Sequence, residues 1–385
     1  MSRSRNWKHA AGVAALTLTF LLLAASNGLA QHYQRTDLTT DNSNTSPTAT
    51  NVDPSLVNAW GMARSSGSPW WISDNGTSLS TLYDGTGAAR TLPAPATCPL
   101  QNCISIPLPD GSPGGTPTGA VFNYTSSFEV GPGQKAIFLF ATEDGTISGW
   151  NPNVNPSTAV VKVKHAATAI YKGLALATTP AGPRLYATNF KSGQVEVFGP
   201  KFFQVNIPGR FVDPNLPANY APFGIQNVGG NIVVTFAHRK PGSTDEDHGA
   251  GVGFVDVFDV TGKLLLRLQH GAFLNAPWGI AEAPGDFGPF SHRLLIGNFG
   301  DGTIHAFNAV SGKFEGTLLD STGAPLAIDG LWGLSFGGDT TATATTNANN
   351  GLATELFFTA GANDEADGIF GKITATGSEQ RGNAE

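Results

Sequence analysis

The chain of 385 residues carries 22 Lys+Arg against 29 Asp+Glu, a formal charge of −7, and only 13% of its residues are charged. Its 48 Gly and 25 Pro suit many short strands and tight turns rather than long helices. An acidic chain without a stripe of Lys and Arg is no partner for nucleic acid, whose phosphate backbone needs clustered cations.

The first element is a targeting segment. Arg3, Arg5 and Lys8 precede an apolar stretch from Ala11 to Ala25, and Gly28-Leu29-Ala30 offers a small-x-small cleavage site before Gln31. This is the pattern of a secretory signal peptide over residues 1–30, which makes the protein exported, either periplasmic or extracellular. The stretch is short and Ala-rich for a membrane span and no Cys follows to take a lipid, so no membrane span is expected after cleavage; a retained anchor is the alternative. Next comes a strand-like segment, Tyr33-Gln34-Arg35-Thr36-Asp37-Leu38-Thr39, that belongs to no repeat.

From residue 59 one phrase recurs six times, with anchor glycines at 61, 119, 173, 224, 279 and 333. Spacings of 51 to 58 residues match the period of propeller blades. Each copy continues with an apolar run, a turn, a second run ending in small or polar residues, and a third ending near an aromatic residue. In Gly193-Gln194-Val195-Glu196-Val197-Phe198 the valines alternate with polar residues, the period of a half-buried strand. A fourth, outer strand is expected at 104–108, 159–163, 203–207, 264–268 and 314–318, and the sixth copy lacks one. The fold class is therefore all-β: a six-bladed β-propeller of four-stranded blades over residues 31–375, its ring closed by the N-terminal strand, with a polar tail over 376–385. Pairing of 33–39 with the last blade removes an open sheet edge.

The only two cysteines, Cys98 and Cys103, are expected to form a disulfide in an exported chain, since two thiolates without neighbouring His or further Cys cannot complete a zinc site.

Strand direction places two sets of residues at one end of the ring. The first precedes each anchor glycine at the central mouth: Trp60, Thr118, Lys172, Phe223, Trp278 and Trp332. Aromatic rings there can stack on a sugar or apolar ligand, or simply plug the axis and wedge the blades together. Lys172 needs a partner near an apolar axis, either Glu143 or a ligand carboxylate. The second set lies in the turns between second and third strands: Asp74, Glu143, Asn189, His238 and Asn298, which also suit ordinary hairpin turns.

Blade four departs from its siblings with a long loop after His238, in which Asp245, Glu246 and Asp247 precede His248. Such a loop can bind Ca²⁺ or another divalent cation, cap the mouth as a lid, or stand as a solvated acidic face. The blade-six turn Asn363-Asp364-Glu365-Ala366-Asp367-Gly368 invites the same question. No Gly-x-Ser-x-Gly elbow, His-Glu-x-x-His or Walker loop occurs, so nucleophilic hydrolysis and nucleotide chemistry have no motif, and no cofactor is predicted.

The stretches 70–77, 141–150, Ala276-Pro277-Trp278-Gly279 and Gly297-Asn298-Phe299-Gly300-Asp301-Gly302 together resemble an uncharacterised family of exported, mostly bacterial proteins, over residues 33 to about 375. More broadly the repeat is similar to NHL-type and lactonase-type six-bladed propellers. Lactonase-type resemblance implies an axial divalent cation held by carboxylates and amides on the innermost strands. Those positions here read Trp, Thr, Lys, Phe, Trp and Trp, which departs from that pattern, although Asp329, near the blade-six opening, and the turn residues could supply ligands. The residues favour a monomeric exported binding module for an extracytoplasmic protein, glycan or small molecule, with a metal-dependent lactonase or esterase-like hydrolase as the alternative.

Overall fold

The computed structural model describes residues 32–92, 98–338 and 349–376. The segment read from sequence as a signal peptide and the tail from 377 onward lie outside the described residues.

Six sheets form the ring, five of four strands and one, blade six, with a fifth short strand at its edge. From the axis outward, blade one comprises Ala59–Ala63, Trp70–Asp74, Leu79–Tyr83 and Cys103–Ser105. Blade two comprises Pro117–Phe122, Phe138–Thr142, Thr146–Trp150 and Val160–Lys164, and blade three Tyr171–Thr179, Gly182–Asn189, Gln194–Phe198 and Gln204–Val205. Blade four comprises Tyr220–Val228, Asn231–His238, Phe254–Phe258 and Leu264–Arg267, and blade five Pro277–Glu282, Arg293–Asn298, Ile304–Asn308 and Phe314–Thr317. Leu331–Phe336, Leu356–Ala360 and Ile369–Ala375 make the inner part of blade six. Its outer strand is Tyr33–Thr40, antiparallel to Ile369–Ala375 from Tyr33↔Ala375 to Thr40↔Ile369, with the short Asn51–Val52 added in parallel at the edge. The N-terminal strand thus closes the ring as its sequence position suggested.

The core is divided, as expected when each sheet buries both faces. Facing sheets enclose separate apolar clusters, such as Trp71, Phe138 and Phe140 between blades one and two, and Phe287, Leu331 and Phe358 between blades five and six. A further cluster lies on the axis and contains Trp60, Phe190, Phe223, Trp278, Phe299 and Trp332.

The recurring glycine has a packing cause. A Cβ on Gly173 would stand 3.0 Å from Phe223 O, on Gly279 2.6 Å from Trp332 O, and on Gly333 2.8 Å from Trp60 O. Gly61 abuts Thr118 O and Gly224 abuts Trp278 O in the same way. Gly119 meets Gly173 C and Leu174 N instead, so each innermost strand lies directly on the backbone of the next, in five blades at the residue before the next anchor glycine, and the last contact returns to blade one. Only glycine permits this approach. Gly279→Ala is expected to destabilise the protein by about 2 kcal/mol through overpacking, as read from denaturant melts. An unchanged midpoint would show that the strands can part without loss.

Cys98 and Cys103 are joined as a disulfide, with Cys103 opening the outer strand of blade one. This bond fits an exported protein. Among the described residues no helix is long and apolar enough to cross a membrane.

Candidate functional site

Antiparallel register defines the upper end of the ring. In every blade the first residue of the innermost strand pairs with the last of the second: Ala59↔Asp74, Pro117↔Thr142, Tyr171↔Asn189, Tyr220↔His238, Pro277↔Asn298 and Leu331↔Ala360. Mouth residues and turn residues consequently share one end, and their side chains divide into three layers.

The lowest layer is a closed aromatic plug. Trp60 stacks on Trp332 with ring centroids 3.6 Å apart, and Phe299 stacks on the opposite face of Trp332 at 3.9 Å. Trp278 meets both Trp60 and Trp332 edge-on, and Phe223 meets Trp332 in the same manner. All three indole N–H groups are used internally. Trp60 Nε1 and Trp332 Nε1 both donate to Asn58 Oδ1, at 2.9 and 3.1 Å, and Trp278 Nε1 donates to Lys172 O at 2.9 Å. Thr118 Oγ1 donates to Tyr171 O at 2.7 Å. These rings are buried and pack against one another between the blades.

Lys172 forms the middle layer. Its side chain is 2% exposed, and Nζ lies 2.7 Å from Glu143 Oε1 and 3.6 Å from Glu246 Oε2. The ammonium also stands 5.0 Å from the Trp60 ring centroid, 5.7 Å from Phe190 and 6.0 Å from Phe223, a cation–π cage from below. Burial alone would lower its pKa, yet the Glu246 and Glu143 carboxylates more than reverse this, so the amine is held protonated more firmly than a free lysine. The sequence named Glu143 as a partner, and the structure adds Glu246.

Carboxylates from alternating blades make the upper layer. Glu143 lies in the turn of blade two, and its Oε2 accepts a hydrogen bond from Asn75 Nδ2 at 2.9 Å. Glu246 descends from the long loop of blade four. That loop is folded back on itself, with the backbones of Arg239 and Glu246 paired antiparallel, Lys240 N donating to Asp245 O and Asp247 N to His238 O. Arg239 Nε ties it to Phe190 O, and Gly249 N ties it to Asn275 Oδ1. Glu365 comes from the turn of blade six, where Asn363, Asp364 and Glu365 are three successive non-glycine residues with φ of 57°, 52° and 65°. Such left-handed residues each carry a steric cost, and here they direct Glu365 to Asn58, whose Nδ2 donates to Glu365 Oε2 at 2.9 Å. Burial, followed by the Glu246 charge, pushes the Glu365 carboxyl up to about 7, against the opposing pull of Lys172 and the Asn58 amide.

The other turn residues serve their own blades. Asp74 is buried, its Oδ2 accepting from Thr81 N at 2.9 Å, and burial raises its pKa well above the usual carboxylate range. Asn189 donates to Glu196 Oε1 at 2.7 Å, and Asn298 donates to Phe273 O at 2.8 Å. His238 faces Asp247 at 3.4 Å and Tyr220 edge-on, while Asp245 is exposed and paired with Ser243. His248 rests against Phe299 on the outer side of the plug. Within the loop, then, the inward residue is Glu246, whereas Asp245, Asp247 and His248 lie at its surface. Asn58 was not singled out from sequence, and Glu246 and Glu365 were named only as members of acidic loops, without a link to Lys172. Acidic residues at matching turn positions in blades two and six were the available signal, obscured because Asp-Gly turns are ordinary.

A lactonase-type axial cation does not fit these residues. The innermost-strand positions that would ligate it are Trp60, Thr118, Lys172, Phe223, Trp278 and Trp332, and a protonated amine already stands among the carboxylates. Among the described residues no three His, Cys, Asp or Glu side chains form a group able to hold a metal ion.

No family model matches the chain. The fold is similar to that of a streptogramin B lyase, with a TM-score of 0.50 and 13% identity over 90% of this chain and 98% of that one. It is also similar to a structural-genomics protein of unknown function from Bacteroides thetaiotaomicron VPI-5482, with a TM-score of 0.52 and 9% identity over 90% of this chain and 76% of that one. At such identities these likenesses show the propeller fold alone. Uncharacterized protein R648 of Acanthamoeba polyphaga mimivirus is 31% identical over 342 residues, 86% of this chain and 78% of the relative. With that identity over most of both sequences, the chain belongs to the family of the mimivirus protein R648.

Proposed function

We propose that the protein is an exported, periplasmic or extracellular binding module that meets a small molecule, glycan or protein at its upper mouth. The observation that carries this reading is the convergence of Glu143, Glu246 and Glu365, from three different blades, on one buried lysine above a closed aromatic floor. Burying an ammonium and carboxylates is costly for a ring that needs only to be closed, because apolar side chains of similar volume would close it as well. Ligand contact falls to the partly exposed Glu143 and Glu365 and to the surface of the blade-four loop, with the aromatic residues acting as support beneath. The test is a ligand screen by thermal shift and glycan array, run on wild type and on Glu143→Gln. A ligand whose binding weakens at least about tenfold in the variant, with the melting temperature of the free protein retained, supports the reading. Ligands that bind equally well to both place the site elsewhere.

The hydrolase alternative has one supporting observation, the Glu365 carboxyl that titrates near neutrality, as a general acid or base must. It lacks a nucleophile and a residue set suited to the axial cation. Purified protein assayed on lactones and esters with added Ca²⁺, Zn²⁺ or Mn²⁺ is expected to show no turnover above that of Glu365→Gln.

A further inference from the structure

The charges at the upper mouth do not balance. Three carboxylates, from blades two, four and six, face one ammonium. Glu143 Oε1 satisfies Lys172 directly, yet the Glu246 side chain, only 4% exposed, sits 3.6 Å from Nζ and its Oε2 has no hydrogen-bond partner. A buried carboxylate oxygen without a donor is costly, which marks a place where a donor belongs. Glu365 has one donor, the Asn58 amide, and no cation within ion-pair distance among the described residues. Exposed Asp245 and Asp364 add to the negative potential at the rim.

What the ligand must supply follows from this arrangement. It needs positive charge and several N–H donors, and it must reach between carboxylates held apart on separate blades. A mineral cation demands ligands gathered into one shell, which these side chains do not form. An alkylammonium carries three donors on a compact charge, and Lys172 already shows one accommodated here between Glu143 and aromatic faces. Resting on the binding-module reading, we propose that the upper mouth binds an alkylammonium group, with Glu143 and Glu365 as its direct contacts and Glu246 behind them.

Two sources present this group: a free polyamine, or lysine side chains of a protein partner. Calorimetric titrations with spermidine, a lysine-rich peptide and the same peptide fully acetylated separate them. Spermidine binding identifies a small-molecule amine, and binding of the peptide alone identifies lysines of a partner. In either case Glu365→Gln and Glu143→Gln should each weaken binding about tenfold, the loss expected for one charged hydrogen bond, and added salt should weaken it further. Affinity should rise as pH rises through about 7, where Glu365, which faces Glu246, Glu143 and Lys172, ionises, and Glu365→Gln should be flat across that window. Melting curves of both variants confirm that they fold. Equal binding of the acetylated peptide, no binding of either amine, or amine affinity unchanged in both variants overturns the proposal. A neutral or anionic ligand lost in Glu143→Gln would overturn it while leaving the binding-module reading in place.

Discussion

Lys172→Met is expected to destabilise the protein by about 3–5 kcal/mol, the range seen when one partner of a buried ion pair is removed. Methionine nearly matches the lysine stem in volume, so the aromatic cage of Trp60, Phe190 and Phe223 keeps most of its packing. Charge is what the variant loses. Glu246 is then a buried carboxylate with neither cation nor hydrogen-bond donor, while the more exposed Glu143 can turn to water and keeps Asn75. Lys172→Met combined with Glu246→Gln should therefore recover more than half of the loss, a coupling that a double-mutant cycle in denaturant measures directly. Independent, additive effects would show that Glu246 does not depend on Lys172.

Deleting residues 31–40 should be the more damaging change, with a loss of at least about 5 kcal/mol from the burial of Tyr33 and Leu38 alone. Both side chains are buried, and Tyr33 OH donates to Phe287 O at 3.0 Å. The strand also supplies the outer row of hydrogen bonds to Ile369–Ala375 and fixes the Asp41–Gly368 contacts at its end. Without it the last blade has an open edge and the ring is held shut only at the axis, an arrangement that invites aggregation. The deleted protein should melt far below wild type or fail to remain soluble. Adding a synthetic peptide of residues 31–52 should restore the transition, because an open edge accepts a strand in trans. A deletion variant with an unchanged melting temperature would show that ring closure does not depend on this strand.

The closing strand was legible because it was a surplus: Tyr33–Thr40 reads as a strand with no repeat to belong to, while the sixth repeat lacked its outer strand. The anchor glycines were legible as a period, although their cause was not. Gly224 is invariant in the pattern because Trp278 O of the following blade lies against it, a contact between residues more than fifty positions apart. Periodicity reports that a constraint recurs and is silent about which backbone imposes it.

The mouth was read only in part, for a physical reason. Local sequence does not state which side of a turn a carboxylate faces. Asp245, Glu246 and Asp247 are equivalent in composition, yet the alternating pleat of the folded-back loop sends Glu246 to the axis and leaves its neighbours outside. Glu365 reaches the mouth through three left-handed residues that no propensity favours.

By itself, then, the sequence determined the number of blades, their strand order, the closing segment and the end of the ring where polar residues gather, because these follow from repeat period and strand direction. Tertiary structure alone placed Glu246 beside the Lys172–Glu143 pair and brought Glu365 and Asn58 to the same mouth. Those outcomes depend on distances between side chains of different blades, which are set by how the sheets pack around the axis and by no local signal.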